Sequence, residues 1–241
     1  MGNQQLLHGA GLDAVIGMYP VIHRLRTTVV TPVVAAALGD PLVRAPKSVL
    51  LYGPPRCGAG FIAGHLAAEI EDLAGRRVVQ LQRLTADLAV EAVTEVLSDA
   101  ETNGDFVVAT CHRPWELASG VAEAFDRFCF VHPPDWEARR FRLWESSLGR
   151  VLDADTLERY VTATEGWCGM DLAASVATGG EATPASVDVS VIAAVEAVLA
   201  TTEPGPVTEA WLTAARTWAL CFEREFGVDD FVAYMRRMRR W

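Results

Sequence analysis

A short loop in the first quarter of the chain has residue types that bind phosphate. The stretch LLYGPPRCGAGF, residues 50–61, joins an apolar run to a helical pattern, and its glycines match the phosphate-binding pattern G-x-x-x-x-G-K-[ST] at Gly53 and Gly58. In that pattern the lysine contacts the outer phosphates and the hydroxyl coordinates Mg²⁺. Here the next two residues are Ala59 and Gly60, so both side chains are missing. The backbone amides could still hold an anion, because the loop leads into a helix N-terminus.

Three more side chains near this loop could do chemistry. Arg56 is the only cation near enough to replace the lysine, but its planar guanidinium starts three residues too early, and an exposed loop arginine is the simpler interpretation. Adjacent Cys111 and His112 resemble a nucleophile and its base, yet neighbours in a strand point to opposite faces and are poorly placed to share a proton. We therefore assign no catalytic residue and no metal ligand.

The elements that must position the loop alternate between strand and helix patterns. SVLLY, residues 48–52, is a short apolar run that predicts a buried strand directly before the loop. Further strand patterns lie at 76–82, 105–111 and 128–132, and helical patterns lie at 61–75 and 85–100. From Pro133 onward the pattern is helical. The alternation predicts an α/β fold with a parallel sheet, followed by an all-helical region.

Composition and charge limit the partners and the location. The 241 residues carry a net charge of −10 and a pI near 5.0, which disfavours nucleic acids and anionic membranes as partners. The most apolar stretch, 29–43, contains two prolines, a glycine and an aspartate, so no membrane span is predicted. The scattered cysteines lack C-x-x-C spacing and indicate neither a zinc site nor a disulfide framework. They are Cys57, Cys111, Cys129, Cys168 and Cys221. We expect a cytoplasmic protein.

Several segments together resemble the AAA family of ATPases, in the branch that contains the membrane protease and the protein-unfolding segregase. The matching segments, in the family's order, are 12–33, SVLLYGPPRCGAG, FVVATCHRPWEL, FDRFCFVHPPDWEARRFRLW and TEGWCGMDLAA. The resemblance implies a P-loop NTPase-like parallel sheet, the AAA large subdomain, over residues 1–133. It implies an all-helical lid subdomain over residues 134–241.

Departures from the family pattern fall on the catalytic elements. Residues 76–104 hold one strand and one helix where the family has two of each. If the surviving strand is that of Walker B, its acids have become Gln82 and Arg83; otherwise Walker B is deleted. VAEA at 121–124 replaces the arginine fingers, and no pore loop follows the strand. No carboxylate is then left to hold Mg²⁺ or orient water.

The resemblance also implies which residues would contact a nucleotide. His112 takes the place of the family's sensor asparagine and could donate one hydrogen bond. The candidate nucleotide-binding residues are Gly53, Pro54, Pro55, Arg56, Cys57, Gly58, Ala59, Gly60 and His112. We expect no cofactor, and binding of ATP or ADP that is weak or absent.

We interpret the chain as an AAA-type pseudo-ATPase, a noncatalytic regulatory, scaffolding or assembly subunit. Its expected partner is a protein, such as another AAA subunit or a second copy. One alternative retains weak ATP binding or slow hydrolysis through residues 53–60 and Arg56; another is a pocket for a different small molecule between body and lid. Six of seven tryptophans follow residue 133, and the last helix pattern, 229–241, combines an apolar face with four arginines. These features predict core packing or docking to a partner.

Overall fold

Four parallel strands form the centre of the molecule. The computed structural model describes residues 11–145, 153–165 and 167–169 and positions 172, 214, 217 and 218. Within that part, the strands are β1 (Ser48–Tyr52), β2 (Val78–Leu84), β3 (Phe106–Cys111) and β4 (Arg127–Phe130). Their order in the sheet is β2-β3-β1-β4, and every pairing is parallel. The predicted α/β fold with a parallel sheet is confirmed.

Helices cover the sheet and follow it in the chain. The α-helices of the described part are α1 (Tyr19–Leu25), α2 (Thr31–Ala37), α3 (Ala59–Ala74), α4 (Val90–Asn103), α5 (Trp136–Glu145) and α6 (Ala154–Ala163). A π-helical turn, Arg26–Val30, connects α1 to α2, and short 3₁₀ turns lie at Gly11–Ala14 and Pro114–Glu116. No helix in the described part is both long and apolar enough to span a bilayer.

Strand β1 is buried on both faces, which explains the apolar run at residues 49–52. Val49 and Leu51 pack into one core with α3, whereas Leu50 and Tyr52 pack into a second core on the other face. Alternate strand residues point to opposite faces, so a strand between two covered faces must be apolar throughout. The loop after β1 therefore follows a strand that is buried over its whole length.

Glycines end the two long helices. α3 stops at Gly75 with φ +62°, and α4 stops at Gly104 with φ +76°, both left-handed conformations that favour glycine. The start of α4 differs from the predicted helix at 85–100, because residues 85–89 form a turn and the helix begins at Val90. Strand β4 ends at Phe130, two residues earlier than the predicted strand.

The beginning of the helical region has a core of its own. Leu143 of α5 packs with Leu157 and Tyr160 of α6 and with Trp167. Buried Arg139 of α5 links the two helices, because its guanidinium donates to the carbonyl of Val161 in α6 at 3.3 Å. It also donates to the Pro134 carbonyl at 3.0 Å. The predicted boundary at residue 133/134 stays a prediction. Most of the helical pattern after residue 169, including 229–241, lies outside the described residues.

Candidate functional site

The candidate phosphate-binding loop leaves the carboxyl end of β1 and leads into α3. Its backbone makes a tight turn in which the Cys57 amide donates to the Pro54 carbonyl at 3.3 Å. Arg56 has φ +69° and Gly58 has φ +97°, and α3 begins at the next residue, Ala59. Left-handed residues directly before a helix are typical of loops that bind anions through backbone amides.

Gly53 is a glycine because the neighbouring strand leaves no space for a side chain. A β-carbon at this position would lie 2.1 Å from the carbonyl oxygen of Val131. The Gly53 amide donates to the Cys111 carbonyl at 3.2 Å, so the residue is held between the ends of β3 and β4. The first glycine of the motif is thus required by packing, whatever the loop binds.

The two positions after Gly58 carry no group that could bind phosphate or metal through a side chain. Ala59 is buried as the first residue of α3. Gly60 is exposed, and nothing lies within 4 Å of the place a β-carbon would take. Arg56 is exposed on the loop. Space for a larger side chain therefore exists at Gly60, although the chain does not use it.

His112 is directed towards the loop, whereas Cys111 lies inside the sheet. The half-buried His112 has its Nδ1 3.3 Å from the Gly53 carbonyl oxygen, to which Nδ1–H can donate. Burial raises the pKa of Cys111 to about 11, which keeps the thiol protonated at neutral pH. The two residues thus face different surroundings, and His112 lies just after the end of β3.

The carboxyl end of β2 presents an amide and a guanidinium. Gln82 and Arg83 are exposed next to an irregularity in the pairing of β2 with β3. The Arg83 amide donates to Thr110 Oγ1 at 2.9 Å, and Arg83 has φ +59°. Among the described residues there is no cluster of three or more histidine, cysteine or acidic side chains that could hold a metal ion.

An apolar cavity lies beside the loop. It has a volume of about 110 Å³ and is bounded by the loop, the N-terminal segment, α3 and α5. Its lining includes Val15, Ile16, Cys57, Gly58, Phe61 and Phe141. The cavity is thus a mostly apolar space directly beside the candidate loop.

The candidate site residues are only partly brought together by direct contacts. The residues of the loop are contiguous, and His112 joins them through Gly53. Sequence reasoning did not find the cavity, because its walls come from segments distant in the chain. It also missed the contact between Cys57 and Cys168, whose Sγ atoms lie 3.3 Å apart, since 111 residues separate them. The binding roles of the loop residues stay predictions.

The parallel sheet, the glycine loop after β1 and the helices on both faces define the α/β fold of P-loop NTPases, in the form found in AAA domains. The FIGL-1 AAA domain is similar, with a TM-score of 0.70 at 18% identity over 90% of this chain and 91% of that one. The same domain in complex with ADP gives a TM-score of 0.65 at 19% identity over 88% of this chain and 90% of that one. A structure that concerns katanin self-assembly gives a TM-score of 0.61 at 21% identity, over 86% of this chain and 89% of that one. These likenesses establish the fold.

Curated relatives match a shorter part of the chain. The outer mitochondrial transmembrane helix translocase of Danio rerio is 42% identical over 73 residues, which are 30% of this chain and 19% of the relative. The Homo sapiens protein of the same name is 41% identical over the same shares. The chain therefore matches about a fifth of the length of these relatives. No protein-family model matches it.

The predicted cytoplasmic location is contradicted by these relatives. They are outer mitochondrial proteins by name, and they match 30% of this chain. The prediction rested on scattered cysteines and on the lack of an apolar span, and neither property distinguishes the cytoplasm from the surface of an organelle. The prediction of a cytoplasmic location is therefore wrong.

Proposed function

We propose that this chain is a noncatalytic AAA-type module, a pseudo-ATPase that acts as a regulatory, scaffolding or assembly subunit. The observation that carries the proposal is the start of α3. Buried Ala59 and exposed Gly60 stand where a P-loop has its lysine and its serine or threonine. With neither side chain, the charge that develops on a transferred phosphoryl group loses its closest protein cation and its Mg²⁺ ligand.

The neighbouring strands support the same conclusion. β2 pairs with β3, the strand that leads to His112, which favours the alternative in which β2 is the Walker B strand. Its acids are then replaced by Gln82 and Arg83. An amide and a guanidinium are poor partners for Mg²⁺, and a guanidinium cannot accept a proton from water at neutral pH. The segment that replaces the arginine fingers, 121–124, begins with buried Val121 and Ala122.

A protein partner is the second part of the proposal. α5 exposes Trp136 (42%) and Trp144 (51%), and the Arg140 guanidinium lies 5.7 Å from the Trp136 ring centre. These residues are spaced by four, so they share one face of the helix. Exposed tryptophan and arginine are the residue types that most often anchor interfaces. We take the partner to be another subunit of AAA fold or a second copy of this chain; the similar katanin structure concerns self-assembly.

Steady-state hydrolysis of ATP with Mg²⁺ tests the catalytic half of this proposal. The purified chain should release phosphate no faster than a buffer blank. The control is Gly58→Asp, because a carboxylate on the loop would repel phosphate. Gly58 lies at φ +97°, which is strained for aspartate, so the variant is first checked for folding. Turnover that persists through further purification and falls in Gly58→Asp would disprove the proposal.

A second candidate function is nucleotide binding without efficient hydrolysis. The apolar cavity of about 110 Å³ beside Gly58 favours it, because it lies next to a loop that leads into a helix N-terminus, where an anion can bind. Exposed Arg56 would supply the positive charge. Calorimetric titration with ATP and Mg²⁺ tests this candidate, with Arg56→Ala expected to weaken binding and Arg113→Ala, an exposed arginine paired with Glu116, as the control. Absence of heat at 1 mM ATP would exclude binding of useful affinity.

A further inference from the structure

Two buried sulfur atoms join the candidate loop to the helical region. Cys57 Sγ and Cys168 Sγ lie 3.3 Å apart, and the two residues are 5% and 0% exposed. The adjacent residue also rests on the loop, since a β-carbon on Gly169 would lie 3.7 Å from the Arg56 carbonyl oxygen. Segment 167–169 is therefore seated directly on residues 56 and 57.

We propose that Cys57 and Cys168 are an oxidation site, which a hydroperoxide converts to a disulfide that ties the loop to the helical region. A disulfide bond is about 2.0 Å long, so the sulfur atoms must approach each other by roughly 1.3 Å. A closure of this size needs side-chain rotation and a small backbone shift. It does not require the fold to open.

The cavity beside the loop gives the oxidant access to one of the two sulfur atoms. Cys57 lines this cavity, together with Gly58 and Gly169, whereas Cys168 is fully buried and does not line it. The cavity volume of about 110 Å³ admits hydrogen peroxide, a molecule little larger than water. Cys57 also precedes the N-terminus of α3, where the helix dipole favours negative charge. Cys57 is therefore the attacking residue and Cys168 the resolving residue.

The reaction balances in two steps. The Cys57 sulfur attacks one peroxide oxygen, the O–O bond breaks, and the products are Cys57 sulfenic acid and one water. The Cys168 sulfur then attacks the Cys57 sulfur, the S–O bond breaks, and the oxygen leaves as a second water with the thiol proton. The two thiols supply the two electrons that reduce the peroxide. A small dithiol reduces this disulfide again by thiol–disulfide exchange.

The other described cysteines serve as internal controls. Cys111 in β3 and Cys129 in β4 are buried in the sheet, and burial raises the pKa of these thiols to about 11 and about 12. Neither residue lines the cavity beside the loop, so an oxidant in that cavity does not reach them and both should resist it. Selectivity for Cys57 and Cys168 would thus come from their contact and from the cavity, and it does not depend on whether the loop binds nucleotide.

Peptide mapping of the whole chain tests the proposal. The native protein is treated with hydrogen peroxide, remaining thiols are blocked with N-ethylmaleimide, and peptides are identified by mass spectrometry without reduction. We expect a linked peptide pair containing Cys57 and Cys168 that dithiothreitol separates, and a melting temperature raised by about 5–10 °C before reduction. Cys111→Ala should retain the link, and Cys168→Ala should leave Cys57 unlinked.

Several results would overturn the proposal. One is an unlinked Cys57 that is oxidised to sulfinic acid in the unmodified chain. Another is a link from Cys57 to Cys221. A third is the recovery of both Cys57 and Cys168 fully alkylated after peroxide treatment. Mapping of the unmodified chain needs no variant to fold, so it gives a decision even where Cys168→Ala is unstable.

Discussion

The carbonyl oxygen of Val131 occupies the space where Gly53 would carry a side chain, 2.1 Å from the position of a β-carbon. This contact places the end of β4 directly against the start of the candidate loop. The loop is also bonded to β3 on its other side through the Gly53 amide. The geometry of the loop therefore depends on both neighbouring strands.

Replacing Gly53 by alanine should destabilise the protein strongly. The new methyl group meets a backbone oxygen that cannot move away without displacing β4, so we expect a loss of about 3 kcal/mol or more in the free energy of unfolding. Gly60→Ala is the matched control, because its methyl group enters open space on α3 and should stabilise by up to about 1 kcal/mol. Urea unfolding measures both, and equal effects would contradict the packing argument.

The Glu69 carboxylate holds the N-terminal segment against α3. It accepts from the buried Leu12 amide at 2.6 Å and from Arg26 Nε at 2.8 Å. Glu69→Ala leaves that amide unsatisfied and should cost about 2–3 kcal/mol, a value discounted because Arg26 is 37% exposed. Asp13→Ala removes the exposed partner of the same arginine and should cost less than about 1 kcal/mol. Similar losses in the two variants would show that burial of Glu69 is unimportant.

Stability should fall with acid through His132. Burial lowers the pKa of this histidine below its usual value near 6.5, and Nδ1 donates to the Pro133 carbonyl at 2.6 Å. The unfolded chain binds the proton more readily, so the stabilisation is fully present above pH 6.5 and is lost as the pH falls towards the folded pKa. The free energy of unfolding then changes by at most about 1.4 kcal/mol per pH unit through this one group.

Unfolding midpoints between pH 7.5 and 5.0 measure this effect. His132→Gln should lose less stability over that range than the unmodified chain, whereas His23→Gln, at an exposed position, should behave like the unmodified chain. An unchanged pH dependence in His132→Gln would contradict the assignment.

The sequence predicted the strands well, because their signals are local. β1 and β3 are apolar runs with both faces covered, and the loop glycines and the helix-ending Gly75 and Gly104 occur where the turns require them. The start of α4 was missed because residues 85–89 have helical spacing but form a turn. Local propensity does not decide such boundaries.

The candidate site was predictable only along one segment. The loop follows from motif spacing and His112 from the resemblance to the AAA family, whereas the cavity and the contact between Cys57 and Cys168 arise from tertiary packing. The order β2-β3-β1-β4 likewise emerges from pairing across the sheet. It is the observation behind the proposed assignment of β2 to the Walker B strand, and no periodicity in the sequence predicts it.

Restoring the loop residues alone should not restore catalysis. Ala59→Lys with Gly60→Thr supplies an ammonium and a hydroxyl, and phosphate affinity should rise because the amide turn is present. Hydrolysis should stay at background, since Gln82 and Arg83 supply no carboxylate to hold Mg²⁺ or orient water. Steady turnover by this double variant would show that the missing acid is supplied elsewhere.

Removing the exposed indoles of α5 should weaken association. Trp136→Ala with Trp144→Ala should lower the light-scattering mass of the chain, with at least a tenfold rise in the dissociation constant. Leu42→Ser is the control, because this side chain is 92% exposed and belongs to a different part of the surface. A monomeric unmodified chain, or an unchanged mass in the folded double variant, would contradict self-association through this face.

Single-turnover hydrolysis tests the central claim most directly. With protein in excess over radiolabelled ATP and Mg²⁺, even slow chemistry at one site releases measurable phosphate, and product release does not limit the signal. We expect the rate of phosphate release to equal that of buffer alone at every protein concentration. A rate that saturates with protein concentration and disappears in Gly58→Asp would contradict a noncatalytic module.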